Sequence, residues 1–97
     1  NAALAIAYLT EAAKLGSPLS ILSLSLLYLD GAEVPKDRGV ALSWLYIYQV
    51  LFPDTDIPDQ LQLLLEDVSA DEENFARNAA QNFVNHQLNK SPSGTLH

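Results

Sequence analysis

Apolar residues recur along this chain at three- and four-residue intervals, and the breaks between runs fall at glycine or proline. Leu4, Tyr8 and Leu15 follow helical spacing in a stretch that also holds Ala2, Ala3, Ala5, Ala7, Ala12 and Ala13. Alanine loses no side-chain entropy in a helix, so the spacing predicts a first helix. It starts with no evident cap, which suggests that sequence before it was cut away or belongs to other repeats. Gly16 suits the left-handed residue just past a helix end. Ser17-Pro18 then reads as an N-cap followed by proline at the first helical position. Together they predict a tight corner between two antiparallel helices.

The second run, Leu19 to Leu29, carries two signals. Leu22-Ser23-Leu24-Ser25-Leu26 alternates as a half-buried strand would. The flanking caps and the alanine-rich neighbour favour a helix, and a helix is expected. On a helical wheel Ser20, Leu24, Leu27 and Tyr28 share one face, with Leu19, Leu22, Leu26 and Leu29 as a second stripe roughly opposite. A helix apolar on all sides needs covering on all sides.

Asp30-Gly31 ends that helix, Val34 is placed to plug the loop into the core, and Pro35 stiffens it. Asp37 is the expected N-cap of a third helix reaching about Leu51, with Val40, Ala41, Trp44, Leu45, Tyr48 and Leu51 facing inward. Phe52-Pro53 stops it, because proline lacks an N–H and restricts the residue before it. A fourth helix is expected from about Ile57 to Asp67, with Leu61, Leu64, Leu65 and Val68 on one face. Ser69 and Glu72 form a capping-box pattern. It opens a fifth helix, about Ala70 to Asn89, presenting Phe75, Ala76, Ala79, Ala80, Phe83 and Val84. Lys90 suits the dipole at its C-terminal end, Ser91-Pro92 ends it, and Ser93 to His97 reads as a frayed tail. The expected fold is all-α, with five helices arranged as antiparallel hairpins.

Composition narrows the functional classes. Twelve acidic residues against five basic ones leave a net charge of −7. Such an excess repels phosphate backbones and anionic headgroups, which argues against nucleic acid and membrane surfaces as partners. The apolar run from Leu19 to Leu29 is too short for a bilayer, which takes about twenty residues, so no membrane insertion is expected. The absence of cysteine excludes disulfides and thiolate metal sites and leaves the compartment open. Eight of the acidic residues lie between Asp54 and Glu73. They read as solvated loops and helix N-termini, with a docking patch for a basic partner as the alternative.

Candidate chemistry is sparse. His86 has no second histidine or carboxylate at i+4 and reads as a surface residue. Asp54-Thr55-Asp56 resembles the start of a calcium loop, but Asp59 and Leu65 stand where glycine and glutamate are needed. No serine sits in a nucleophile elbow. No catalytic residue, metal site or cofactor is expected, and the chain reads as a non-enzyme. Trp44, Tyr46 and Tyr48 form an aromatic cluster in sequence, with Trp44 expected in the core and Tyr46 exposed.

The chain also matches itself at a shift of thirty-six residues: Ala5 with Ala41, Tyr8 with Trp44, Leu9 with Leu45 and Leu15 with Leu51. Between these lie Ala12, Ala13 and Gly16, then Ser20, Leu24 and Tyr28, then Gly31, Val34 and Asp37, then Ala41 and Trp44. This combination resembles the Sel-one-like repeat family, a relative of the tetratricopeptide repeat. Ser25 and Glu33 depart from the family pattern, and Tyr48-Gln49 and Phe52 replace the paired alanines and glycine expected at the next helix end. The resemblance implies residues 1–16 as the end of one repeat, 17–52 as a second, 53–90 as capping helices and 91–97 as a tail. It further implies a right-handed α/α superhelix acting as a bacterial protein-interaction scaffold, in the cytoplasm or periplasm, whose groove receives a peptide or protein. The nominated contact residues are Leu19, Leu22, Leu26, Leu29 and Tyr46. Self-association, as a homodimer or as part of a longer array, is the alternative.

Overall fold

The structure, a computed structural model, describes residues 1–88. Five α-helices make up the fold: α1 Ala2–Lys14, α2 Pro18–Asp30, α3 Arg38–Leu51, α4 Asp59–Glu66 and α5 Ala70–Asn82. A π-helical turn, Phe83–Gln87, extends α5. No strand occurs among the described residues. The expected features at Asn89, Lys90, Ser91-Pro92 and the 91–97 tail lie outside the described residues.

Local chemistry explains each boundary. Asn1 caps α1, its Oδ1 accepting from the backbone N–H of Ala3 at 2.8 Å and Leu4 at 3.2 Å. The expectation of an uncapped first helix is thereby corrected: asparagine serves two of the four N–H groups that a helix start leaves unpaired. At the other end Gly16 takes φ +86°. Its N–H donates to the Ala13 carbonyl, and the Ser17 N–H donates to that of Ala12. This is the Schellman pairing, which needs a left-handed residue at that point. Ser17 then caps α2 through the Ser20 N–H, with Pro18 at the first helical position.

The alternating leucines and serines of α2 form a helix. Gly31 closes it at φ +70°, and the loop folds back so that the Asp37 N–H donates to the Tyr28 carbonyl at 2.9 Å. A Cβ on Gly31 would lie 2.6 Å from that of Lys36, so the glycine serves both the backbone angle and the close approach. Val34 is half-buried and does not join the apolar side chains packed on the core, contrary to its expected role as a plug. Asp37 caps α3 through the Val40 N–H, as expected. The fourth helix starts two residues later than anticipated, at Asp59.

Helix α3 is the axis of the fold. It packs on α2 along one side and on α5 along another, α1 lies on α2, and α4 touches α2 and α3. Ala41, Leu42, Leu45, Ile47 and Tyr48 of α3 are buried, with Ile21 and Leu24 of α2, Leu61 and Leu64 of α4, and Ala76, Ala80 and Phe83 beyond. Close contact of α2 with α3 rests on Ser25, which is fully buried and donates its hydroxyl to the Ala41 carbonyl at 2.7 Å. A larger side chain there would push the helices apart.

The capping box at Ser69 and Glu72 is formed in both directions. Glu72 also accepts from Arg38 Nε at 3.0 Å, and Arg38 Nη2 donates to the Asp67 carbonyl. One guanidinium thus ties the start of α3 to the α4–α5 corner. Its hydrogen bond to Glu72, helped by the Ser69 N–H, holds that carboxyl below the usual glutamate range. Beyond Asn82 the expected α-helix gives way to the π turn, in which the Leu88 N–H donates to the Phe83 carbonyl at 2.7 Å. In an α-helix, residues five apart point about 140° from one another. The wider winding brings Leu88, half-buried on the core, nearer the side of buried Phe83.

Candidate functional site

The faces of α2 decide where apolar surface stays open. Ile21, Leu24 and Ser25 are buried, with Tyr28 half-buried on the same side. Ser23, Leu26, Leu27 and Asp30 follow one another at i, i+3, i+4 and i+7 and form a different face. That face, with Leu29 beside it, lines a groove of about 620 Å³ completed by Leu9 of α1 and Gln60 of α4. The wall is leucine from two helices. Among the described residues, no aromatic and no basic side chain lines it.

The five nominated contact residues separate in space. Leu26 and Leu29 line the groove, and Leu22, Leu26 and Leu29 also pack part of their surface on the core. Leu19 stands at the start of α2, 75% exposed, on the same side of the helix but not in the groove wall. Tyr46, expected to be exposed, is only 8% exposed and lies elsewhere. It sits between α3 and α5 because α3 is covered on both flanks, so half a turn from Trp44 is still an interior direction. The groove residues that the sequence did not nominate are Leu9, Ser23, Leu27, Asp30 and Gln60. The i, i+3, i+4, i+7 rhythm of the four from α2 was readable; the convergence of Leu9 and Gln60 was not.

Tyr46 floors a second hollow of about 310 Å³, lined also by Gln49, Val50, Arg77, Ala80, Gln81 and Val84. The Arg77 guanidinium lies 4.6 Å from the Tyr46 ring centroid, a cation–π arrangement, and its Nε donates to Glu73 at 2.8 Å. Burial raises the Tyr46 phenol above the usual tyrosine range, opposed by the Arg77 charge. With its guanidinium already paired, this hollow offers a ligand little unspent charge. Trp44 faces another way, edge-on to Phe83 at 5.1 Å between centroids and 71° between planes. The three aromatics of α3 therefore form no common box.

A third apolar surface lies on the outside of α1. Leu4, Tyr8 and Leu15 follow a stripe there, and Tyr8 is 82% exposed. His86 is exposed. Among the described residues no three of His, Asp or Glu cluster so as to hold a metal ion, and no helix is long and apolar enough to cross a membrane. Comparisons with protein-family models, curated proteins and solved structures return no match.

Proposed function

We propose that the chain is a non-catalytic protein-interaction scaffold built from Sel-one-like helical hairpins, with the α1–α2–α4 groove as its binding surface. The observation that carries this is the leucine wall of Leu9, Leu26, Leu27 and Leu29, left open between three helices among the described residues. Apolar grooves of this kind are what helical scaffolds offer to partners. The two copies of the internal match add support. Ala41 is buried and Trp44 half-buried under neighbouring helices, whereas Ala5 and Tyr8 at the equivalent places are exposed. In this reading residues 1–16 and 17–52 belong to successive repeats, and 53–90 cap the second.

Selection of a displayed peptide library on the protein tests the proposal, with a Leu27→Ser variant as counter-selection. Leu27 lines the groove without belonging to the side chains packed on the core. Peptides that bind the native protein and lose affinity for the variant, at unchanged circular dichroism, support the scaffold. Selection that never distinguishes the two proteins refutes it.

Self-association is favoured by a separate observation, the exposed Leu4, Tyr8, Leu15 and Leu19. Leu4 and Tyr8 line one shallow hollow and Tyr8 and Leu15 the next, and large exposed apolar patches mark interaction sites. Light scattering at high concentration decides: a dimer broken by Tyr8→Glu supports it, and a strict monomer removes it.

A further inference from the structure

The groove's chemistry, taken with the scaffold reading on which this inference rests, selects among partners. An extended peptide that binds by strand addition needs an open sheet edge. The groove is walled by helices whose backbone groups bond within each helix, and no strand occurs among the described residues. Proline-rich segments dock on aromatic-lined grooves. Among the described residues no aromatic lines this one. The face of Ser23, Leu26, Leu27 and Asp30 at i, i+3, i+4 and i+7, with Leu29 beside it, instead matches the ridges and grooves of another helix.

Charge sets the second requirement. Leu26, Leu27, Leu29 and Asp30 belong to the last turns of α2, so the groove's edge lies at the negative end of that helix's dipole. That last turn contains no basic residue. Asp30 adds a carboxylate that makes no ion pair among the described residues. Lys36, against Gly31, is exposed and lines no part of the groove. Asp59 opens α4 next to Gln60, and the chain as a whole carries −7. The C-terminal dipole of α2, the Asp30 carboxylate and the net charge have the same sign, and Asp59 offsets the positive N-terminal end of α4 beside Gln60.

We infer that the groove receives an amphipathic helix whose leucine-like face is flanked by lysine or arginine. Its apolar ridge fills the wall of Leu9, Leu26, Leu27 and Leu29, and its basic flank meets Asp30 at the C-terminal end of α2. Complementary charge of this sort raises the association rate and makes binding salt-dependent. An acidic helix of the same apolar face binds more weakly.

Two fluorescein-labelled helical peptides of roughly eighteen residues test this, long enough to hold helical structure. Both carry leucine at i, i+3, i+4 and i+7; one has lysine on its flanks, the other glutamate. Anisotropy titrations compare them at about 50 and 300 mM salt, where screening lengths differ. The lysine peptide is expected to bind about ten-fold more tightly at the lower salt, with the advantage shrinking at the higher. Asp30→Asn weakens the lysine peptide severalfold and leaves the glutamate peptide no weaker. Leu27→Ser weakens both, and Tyr8→Ser, on the outer face of α1, changes neither. Equal binding of both peptides with Leu27→Ser still effective overturns the charge inference and leaves the scaffold standing. Binding that responds to Tyr8→Ser and not to Leu27→Ser, or no binding at all, overturns the inference and counts against the groove itself.

Discussion

Ser25 offers a graded test of the packing between α2 and α3. Its side chain is fully buried and its hydroxyl donates to the Ala41 carbonyl at 2.7 Å. Ser25→Ala removes that bond. The Ala41 carbonyl lies inside α3 and keeps its place in the helix ladder, so no acceptor is orphaned. The net loss is then that of one ordinary hydrogen bond, about 1 kcal/mol. Ser25→Leu removes the same bond and adds three carbons to a site with no room for them. Overpacking costs roughly 1–3 kcal/mol, giving about 2–4 kcal/mol in all. For a domain of this size each kcal/mol moves the melting temperature by about 4–8 °C. Urea denaturation followed by far-ultraviolet circular dichroism resolves both variants. A Ser25→Leu protein as stable as the native one would show that α2 and α3 do not approach closely there. A Ser25→Ala loss above about 3 kcal/mol would show that the Ala41 carbonyl has no other partner.

Other perturbations probe the remaining contacts. Leu24→Ala empties a fully buried site and should cost about 2–5 kcal/mol in the same denaturation assay; no loss would mean the register of α2 is wrong. Gly16→Ala meets open space and should cost only the left-handed backbone penalty, about 1–2 kcal/mol. Gly31→Ala adds the collision with Lys36 and should lower the melting temperature further; equal effects at both glycines would contradict that loop packing. The native Glu72 carboxyl is held below its ordinary value by Arg38 and Ser69, so its contribution is complete above the unfolded pKa of about 4.3 and disappears as pH falls through the lowered native value. The gap in melting temperature between native protein and Glu72→Gln should therefore narrow from pH 7 to pH 3, and a constant gap would rule out that linkage.

Much of this fold was legible because its boundaries rest on local chemistry. Ser17-Pro18, Asp37 and the Ser69–Glu72 box each act within a turn of where they stand, and each behaves as its pattern implies. The two left-handed glycines likewise mark corners without reference to distant residues. Burial was harder. The sequence gives Tyr8 and Trp44 the same repeat position, yet Trp44 meets Phe83 of the turn after α5 while Tyr8 faces solvent. Tyr46 was misplaced for the related reason that a helix covered on two flanks has two inner faces. Arg38 reaches Glu72 across thirty-four positions, a contact no local pattern announces. The groove was half visible: Leu26 and Leu29 were nominated from the leucine excess of α2, but Leu9 and Gln60 join them only through the packing of three helices.

The most direct test of the groove is an amide chemical-shift map of the labelled protein titrated with the lysine-flanked leucine helix. Shifts concentrated at Leu9, at Ser23 to Asp30 and at Gln60 are the expected result. Shifts confined to Leu4, Tyr8 and Leu15, or to Tyr46 and Arg77, with those groove amides unmoved, would contradict it.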